Sequence, residues 1–251
     1  MRNSSQGSDS VKNRLFETSL CLGMAWMALA ATRTAAMGAP APRKGKMPPD
    51  LAEILSRMND AAKRLKTISA NLEYTKVTVL VNDQSVEEGQ LFFHKAKSPD
   101  VLISMRKPDP KYISFRKNKA EIYLPKINQV QEYDLEEHSG LVQQFLLLGF
   151  GTETGELRKS YQVKYLTEEE IDGDSTAVLE LTPRNESIAA QLTKIQLWIS
   201  EESWLPIQQK FFEPGGDYLI ARYSGVRVNR ELPSSTFQIP YQKDVKRVKM
   251  R

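Results

Sequence analysis

The sequence predicts an α+β protein in which helices pack on an antiparallel sheet. From about Ile68 to Ile239, the chain keeps returning to short stretches rich in Val, Ile, Leu, Phe and Tyr, which is typical of strands. A helical apolar stripe precedes these stretches, and a strongly apolar segment near residue 145 interrupts them. Because no linker separates the two groups of strands, we expect one domain over residues 50–241.

Residues 1–36 have the pattern of a secretory signal peptide. A basic region leads into an apolar run at residues 20–31, which would span only about 18 Å of the roughly 30 Å bilayer core. Small residues follow, so we expect cleavage after Ala30 or Ala36 and an exported mature chain. The basic residues are Arg2, Lys12 and Arg14.

The composition excludes several classes of protein. Cys21 is the only cysteine and lies in the segment that we expect to be removed, so no disulfide stabilises the domain. The formal net charge is +4 and the charges are interspersed, which gives no reason to expect nucleic-acid binding. The sequence predicts neither a metal site nor a cofactor.

A linker and a helix open the mature chain. Residues 37–49 are rich in proline, glycine and basic residues and have no periodicity. After Asp50, apolar residues recur at intervals of three and four residues as far as Ile68, which predicts a helix with one apolar face. Asp50 is the expected N-cap, with Glu53 three residues later.

The first group of strands predicts an antiparallel meander with one apolar face. Alternation places a single set of residues on that face, because successive side chains of a strand point to opposite sides of a sheet. We expect this set to line one side of an interior cavity, although a tightly packed core would also explain the pattern. Its members are Leu91, Phe93, Val101, Ile103, Met105, Ile113, Phe115, Ile122 and Leu124.

At residues 138–150 the alternation of apolar and polar residues stops. The pattern there predicts a second helix whose apolar residues cover more than half of its circumference. We expect the part from Leu141 to Leu148 to be a mobile cover, with the glycines that follow it as a hinge. A charge at Phe145 or Leu148 is expected to reduce binding of an apolar ligand more than it reduces stability.

A second meander and a basic tail complete the chain. Strands are expected at residues 161–166, 177–182, 193–199, 206–212, 218–223 and 226–228. The tail at 242–251 carries basic residues, for which we considered a frayed, solvated end or docking on an anionic membrane.

Catalytic motifs are weak. Gly149, Gly151 and Gly155 follow a helix rather than a strand and lack the spacing of a nucleotide loop. His94 and His138 have no serine or cysteine nucleophile in a recognisable motif, so we expect them to be structural or surface residues and the protein not to be an enzyme.

The order of several motifs resembles the LolA-like family of periplasmic outer-membrane lipoprotein carriers. The resemblance covers about residues 50–241. It rests on G-x-L-x-F at Gly89–Phe93, on Ile113–Pro125, on I-Q-L-W-I-S-x-x-S-W-L-P at Ile195–Pro206, and on L-P-x-S-x-F-x-I-P at Leu232–Pro240.

This resemblance implies an unclosed antiparallel β-barrel covered by helices, with an apolar cavity between them. It also implies acylated lipoproteins as partners, an inner-membrane donor complex, an outer-membrane acceptor, and a periplasmic monomer. Lys97 and Phe150 are assigned to the lid. The carriers have an arginine just before the proline that ends the strand, where this chain has Ser98, and Lys97 is its candidate replacement.

The function expected from the sequence is therefore a carrier that binds acyl chains and moves them toward the outer membrane without catalysis. The alternative is a lipid-sensing or protein-sensing regulatory module on the same fold. A secreted hydrolase is disfavoured, because no nucleophile and base are paired in a known motif.

Overall fold

The computed structural model describes residues 50–96, 99–116, 119–134, 148, 150–151 and 153–250. In this part of the chain, all strands belong to one twelve-stranded sheet. The strands are β1 Thr67–Thr78, β2 Asp83–His94, β3 Asp100–Lys107, β4 Lys111–Arg116, β5 Lys119–Leu124, β6 Gln129–Asp134, β7 Tyr161–Ile171, β8 Asp174–Pro183, β9 Lys194–Ser200, β10 Pro206–Phe212, β11 Tyr218–Val228 and β12 Lys246–Met250.

The order across the sheet is β12-β6-β5-β4-β3-β2-β1-β11-β10-β9-β8-β7, so β12 and β7 are its two edges. All neighbours are antiparallel except β12 and β6, which are parallel. The pairing of β1 with β11 joins the two meanders into one sheet. The predicted α+β class with an unclosed antiparallel sheet is confirmed.

Helix α1, Leu51–Arg64, begins where the sequence predicts. The Asp50 carboxylate accepts a hydrogen bond from the backbone N–H of Glu53 at 2.7 Å, which confirms the N-cap. The expected continuation to Ile68 is wrong, because Ile68 belongs to β1. The Asn229 side chain accepts from the Lys66 N–H and donates to the Arg64 carbonyl, which satisfies backbone groups that the helix end leaves unpaired.

One short helix precedes the second meander and another lies within it. Helix α2, Thr154–Ser160, leads into β7, and helix α3, Glu186–Ala189, connects β8 to β9. The Asn185 side chain caps α3 by accepting from the N–H groups of Ser187 and Ile188. Neither helix was expected, because each is too short to show a period.

The sheet has two covered faces. The inner face, which carries Leu91 and Phe93, packs on α1 and forms the larger apolar cluster. The outer face of the first meander is covered by the segment from Leu232 to Val245. Phe237 and Ile239 are buried there, which gives the F-x-I-P motif a packing role.

The C-terminal end corrects the sequence prediction. Lys246–Met250 form β12, so the expectation of a frayed end is wrong for these residues. Arg247 donates to Glu121 at 3.0 Å and to Glu132 at 2.5 Å, and Tyr241 donates to Glu121 at 2.7 Å. Backbone pairing with β6 and these charged contacts hold the basic segment on the sheet.

Candidate functional site

The predicted set of apolar residues lies on one face of the sheet. Leu91 pairs with Ile103, and Ile103 pairs with Ile113, which in turn pairs with Ile122. A second row runs parallel to it, because Phe93 pairs with Val101 and Val101 with Phe115. The register expected from alternation is therefore the register of the structure. That these residues contact a ligand stays a prediction.

Burial divides this set along the sheet. Five members, on β2 and β3, are buried in the cluster that contains α1: Leu91, Phe93, Val101, Ile103 and Met105. On β4, Ile113 and Phe115 are half-buried and pack against that cluster. On β5, Ile122 is buried and Leu124 is half-buried. The half-buried residues of β4, with Leu124 on β5, are therefore the accessible members of this set.

Helix α1 supplies the layer above this face. Ile54, Leu55 and Met58 are buried, and they lie three and four residues apart on one side of the helix. Leu65 and Phe93 meet Gly151, where a Cβ would lie 3.4 Å from Leu65 Cδ2 and 3.8 Å from Phe93 Cζ. Gly151 has φ +71°, which a residue with a side chain rarely adopts.

A short segment of the predicted cover is held against the inner face. Leu148 and Phe150 are fully buried, and the Phe150 ring meets the Tyr223 ring edge-on at 4.9 Å. Gln209 Nε2 donates to the Leu148 carbonyl at 2.6 Å, and the Tyr223 hydroxyl donates to Gln209 Oε1 at 2.9 Å. We call Leu148, Phe150, Gln209 and Tyr223 the inner clasp.

A polar group lies on the same face near one end of the sheet. Lys111 is buried and donates to both carboxylate oxygens of Glu87, at 2.8 and 3.0 Å. Glu87 is the cross-strand neighbour of Tyr74. Burial, together with the Glu87 and Glu213 carboxylates, raises the pKa of the Tyr74 hydroxyl above its ordinary value.

Tyr161 adds a buried polar atom without a partner. Among the described residues, its hydroxyl has no hydrogen bond although it lies inside the apolar cluster. Burial raises the pKa of Tyr161 to about 12. An unpaired buried hydroxyl costs free energy, which makes this a polar point within the apolar cluster.

The remaining residues discussed in the sequence analysis do not add to this site. Phe145 and Lys97, with most of the expected mobile helix, lie outside the described residues, as does His138. The His94 ring is half-exposed, and its Nδ1 lies 3.8 Å from Asp100 Oδ2. The burial of Leu148 means that a charge there would also reduce stability, so it does not separate binding from folding.

Sequence reasoning missed the polar part of the inner face. Lys111 has the same parity as Ile113 and Phe115, and Gln209 the same parity as Phe211, so alternation alone could have placed both inward. Their polar character argued against an interior position. Gly151 was placed in a weak nucleotide motif and in the expected hinge, but not in the core beside Leu65 and Phe93.

The described residues offer neither a metal site nor a membrane-spanning helix. No group of three or more His, Cys, Asp or Glu side chains in the described ranges is arranged to hold a metal ion. No helix among these residues is long and apolar enough to span a membrane.

Replacing Gln209 by leucine is expected to lower the free energy of unfolding by about 2–3 kcal/mol, because the Leu148 carbonyl and the Tyr223 hydroxyl lose their buried partner. Chemical denaturation measures this loss, and hydrogen exchange should rise at residues 148–151. Gln208→Leu is the matched control, since Gln208 is the half-buried neighbour on the other side of β10. Similar losses of unfolding free energy in both variants would contradict the stabilising role of Gln209 in the inner clasp.

Comparisons with known proteins concern the fold. A family model described only as that of an uncharacterized protein matches residues 107–228, just under half of the chain. No curated protein matches the chain in sequence. An uncharacterized conserved protein from Thermus thermophilus is similar in structure, with a TM-score of 0.50 and 12% identity, covering 79% of this chain and 98% of that chain.

Two further solved structures match at lower TM-scores. The LolA superfamily protein NE2245 from Nitrosomonas europaea has a TM-score of 0.39 and 16% identity, covering 76% of this chain and 98% of that chain. The Pseudomonas aeruginosa MucA/MucB complex has a TM-score of 0.46 and 13% identity, covering 75% of this chain and 60% of that chain. The present chain thus spans about three fifths of that relative. At 12% identity, the similarity to the Thermus thermophilus protein is a likeness of fold alone.

Proposed function

We propose that this protein is a periplasmic carrier that binds acyl chains of lipoproteins and releases them without catalysis. The observation that carries the proposal is an apolar inner face whose burial falls from complete on β3 to partial on β4. An acyl chain laid along β4 would extend the existing cluster, and each buried methylene contributes about 0.8 kcal/mol.

The inner clasp supports a cover that can open. Two side-chain hydrogen bonds hold it, from Gln209 to the Leu148 carbonyl and from the Tyr223 hydroxyl to Gln209, and the contact between the Phe150 and Tyr223 rings is apolar. Apolar contacts are not directional, so an acyl chain can replace the Phe150 ring against Tyr223, and opening breaks the hydrogen bond from Gln209 to Leu148 while the bond between Gln209 and Tyr223 stays within the sheet. Lys97, where the resembling carriers have an arginine nearby, is proposed as a gate residue rather than a base.

Polar groups on the inner face support an amphiphilic ligand. Lys111, Glu87 and Tyr74 lie near one end of the apolar surface, where they could contact the polar part of an acylated molecule. Export by the expected signal peptide would bring the chain to the compartment in which acylated lipoproteins cross between the two membranes.

Replacing Phe115 by aspartate is expected to weaken binding of a fluorescent fatty acid by about tenfold or more, because a carboxylate would enter the apolar contact surface. Fluorescence titration of the full chain measures the effect. Tyr112→Asp is the matched control, since Tyr112 is a half-buried aromatic residue on the other face of the same strand.

Equal weakening in the two variants would show that binding does not use the inner face. Wild-type protein that binds no fatty acid or acylated peptide, but binds a protein partner, would favour the regulatory alternative. Loss of a hydrolytic activity in His94→Ala would overturn the proposal that binding occurs without catalysis.

A further inference from the structure

The hairpin between β1 and β2 ends in an exposed apolar tip. Val79, Leu80 and Val81 are exposed by 51%, 93% and 67%. Hairpin turns are usually built from polar residues and glycine, which suit water and the turn geometry. Three consecutive exposed aliphatic residues therefore need another explanation. We call Val79–Val81 the apolar tip.

The apolar tip has a fixed shape. Its residues form one 3₁₀ turn that ends at Asn82, which has φ +50° and donates its N–H to the Val79 carbonyl at 3.2 Å. The Val79 N–H donates to Asp217 Oδ1 at 2.9 Å, which ties the tip to the β10–β11 turn. The strands below it are paired up to Thr78 and Asp83. Leu80 is therefore held away from the core.

On the side of β3 the hairpin also extends beyond its neighbour, whereas on the other side β11 pairs with β1 as far as Val77. Strand β3 pairs with β2 only from Glu88 onward, so residues 83–87 extend past it by about 17 Å at ~3.4 Å per residue. A stable protein–protein interface buries about 800 Å² on each partner, which three aliphatic side chains do not provide.

Aromatic and lysine side chains lie beside the tip. Tyr218 pairs with Val77, and its ring lies 6.1 Å from that of Phe212. Lys210 Nζ lies 3.7 Å from the centre of the Tyr218 ring and 4.7 Å from that of Phe212. Half-buried aromatic rings with long cationic side chains are typical of surfaces at the membrane–water interface.

The same turn occurs a second time at this end of the sheet. Residues Pro125–Ile127 form a 3₁₀ turn that ends at Asn128, with φ +46°. Ile127 is 62% exposed. Because strands β1 to β6 alternate in direction, this turn and the apolar tip lie at the same end, which is also the end nearest Lys111.

We propose that this end of the sheet contacts the surface of a lipid bilayer, with Leu80 inserted into the interface between headgroups and acyl chains. A projecting aliphatic tip can enter a fluid interface without a complementary groove, and the neighbouring aromatic and lysine side chains lie at headgroup depth. The inference goes beyond the carrier function, since it holds whether or not the inner face binds an acyl chain.

The test is a vesicle experiment on the exported protein, with its N-terminus determined by mass spectrometry. Co-sedimentation with vesicles of phosphatidylcholine and phosphatidylglycerol should show binding that Leu80→Asp weakens by about tenfold or more. Leu166→Asp is the control, since Leu166 is 44% exposed on edge strand β7. This variant should bind as the wild type does.

A second readout separates the tip from any other membrane anchor in the chain. In Leu80→Trp, vesicles should shift the added tryptophan fluorescence to the blue, and brominated lipids should quench it, whereas Leu166→Trp should show neither change. No quenching in Leu80→Trp, or equal vesicle binding by Leu80→Asp and wild type, overturns the proposal. Absence of vesicle binding by the wild type overturns it as well.

Discussion

Replacing Phe93 by alanine is expected to lower the free energy of unfolding by about 3–5 kcal/mol, the range for a large aromatic residue removed from a core. Phe93 is 2% exposed and lies where the inner face, Leu65 and Gly151 meet. The lost side chain leaves a cavity under the segment that the inner clasp holds. Urea denaturation measures the loss.

Phe92→Ala is the control for this change. Phe92 is the adjacent residue of β2, is half-buried, and packs on the outer face. Its loss should be less than half as large, because a half-buried ring removes less apolar surface from water. If the two variants were destabilised equally, the assignment of Phe93 to the centre of the core would be wrong.

Replacing Gly89 by alanine is expected to destabilise the protein by about 3 kcal/mol, although the change adds only one methyl group. A Cβ at this position would lie 2.7 Å from Met105 Cα and closer still to the Ser104 carbonyl oxygen, so the backbone of β3 would have to move. The register shift between β2 and β3 at Glu88 and Gly89 brings the two strands together here.

Gly215→Ala serves as the matched control, because a Cβ there meets nothing within 4 Å and its turn is exposed. Its unfolding free energy should stay within about 0.5 kcal/mol of the wild type. Thermal unfolding of both variants tests the pair. If the Gly89→Ala protein were as stable as the wild type, the backbone of β3 would be able to move away from the added methyl group with little loss of unfolding free energy.

Alternation predicted the inner face of the first meander well because its apolar residues keep one parity along each strand. Val101, Ile103 and Met105 stand two residues apart, and their cross-strand partners follow the same parity. The helix start at Asp50 was equally visible, since the capping interaction is local.

The parts that were missed depend on distant contacts. Strand β6 is rich in polar residues, with Val130 and Tyr133 buried on opposite faces, so no period of two is visible. Strand β12 is strongly basic and exists through pairing with β6 and through Arg247 with its two glutamates. No local pattern contains those partners.

The candidate site was predictable in its apolar part and not in its polar part. Phe115 and Ile113 were placed on the inner face by parity. The role of Gln209 depends on the Leu148 carbonyl, which is distant in sequence. A buried glutamine on an otherwise apolar strand face is a signal only once the fold supplies its partner.

Native mass spectrometry of the protein purified from the periplasm of its host tests the central proposal most directly. We expect a bound acylated molecule at one per chain, which is lost on organic extraction and regained when triacylated peptide is added. A Phe115→Asp protein that remains folded should carry much less of it. A mass that equals the processed chain alone, unchanged by excess triacylated peptide, would contradict the carrier function.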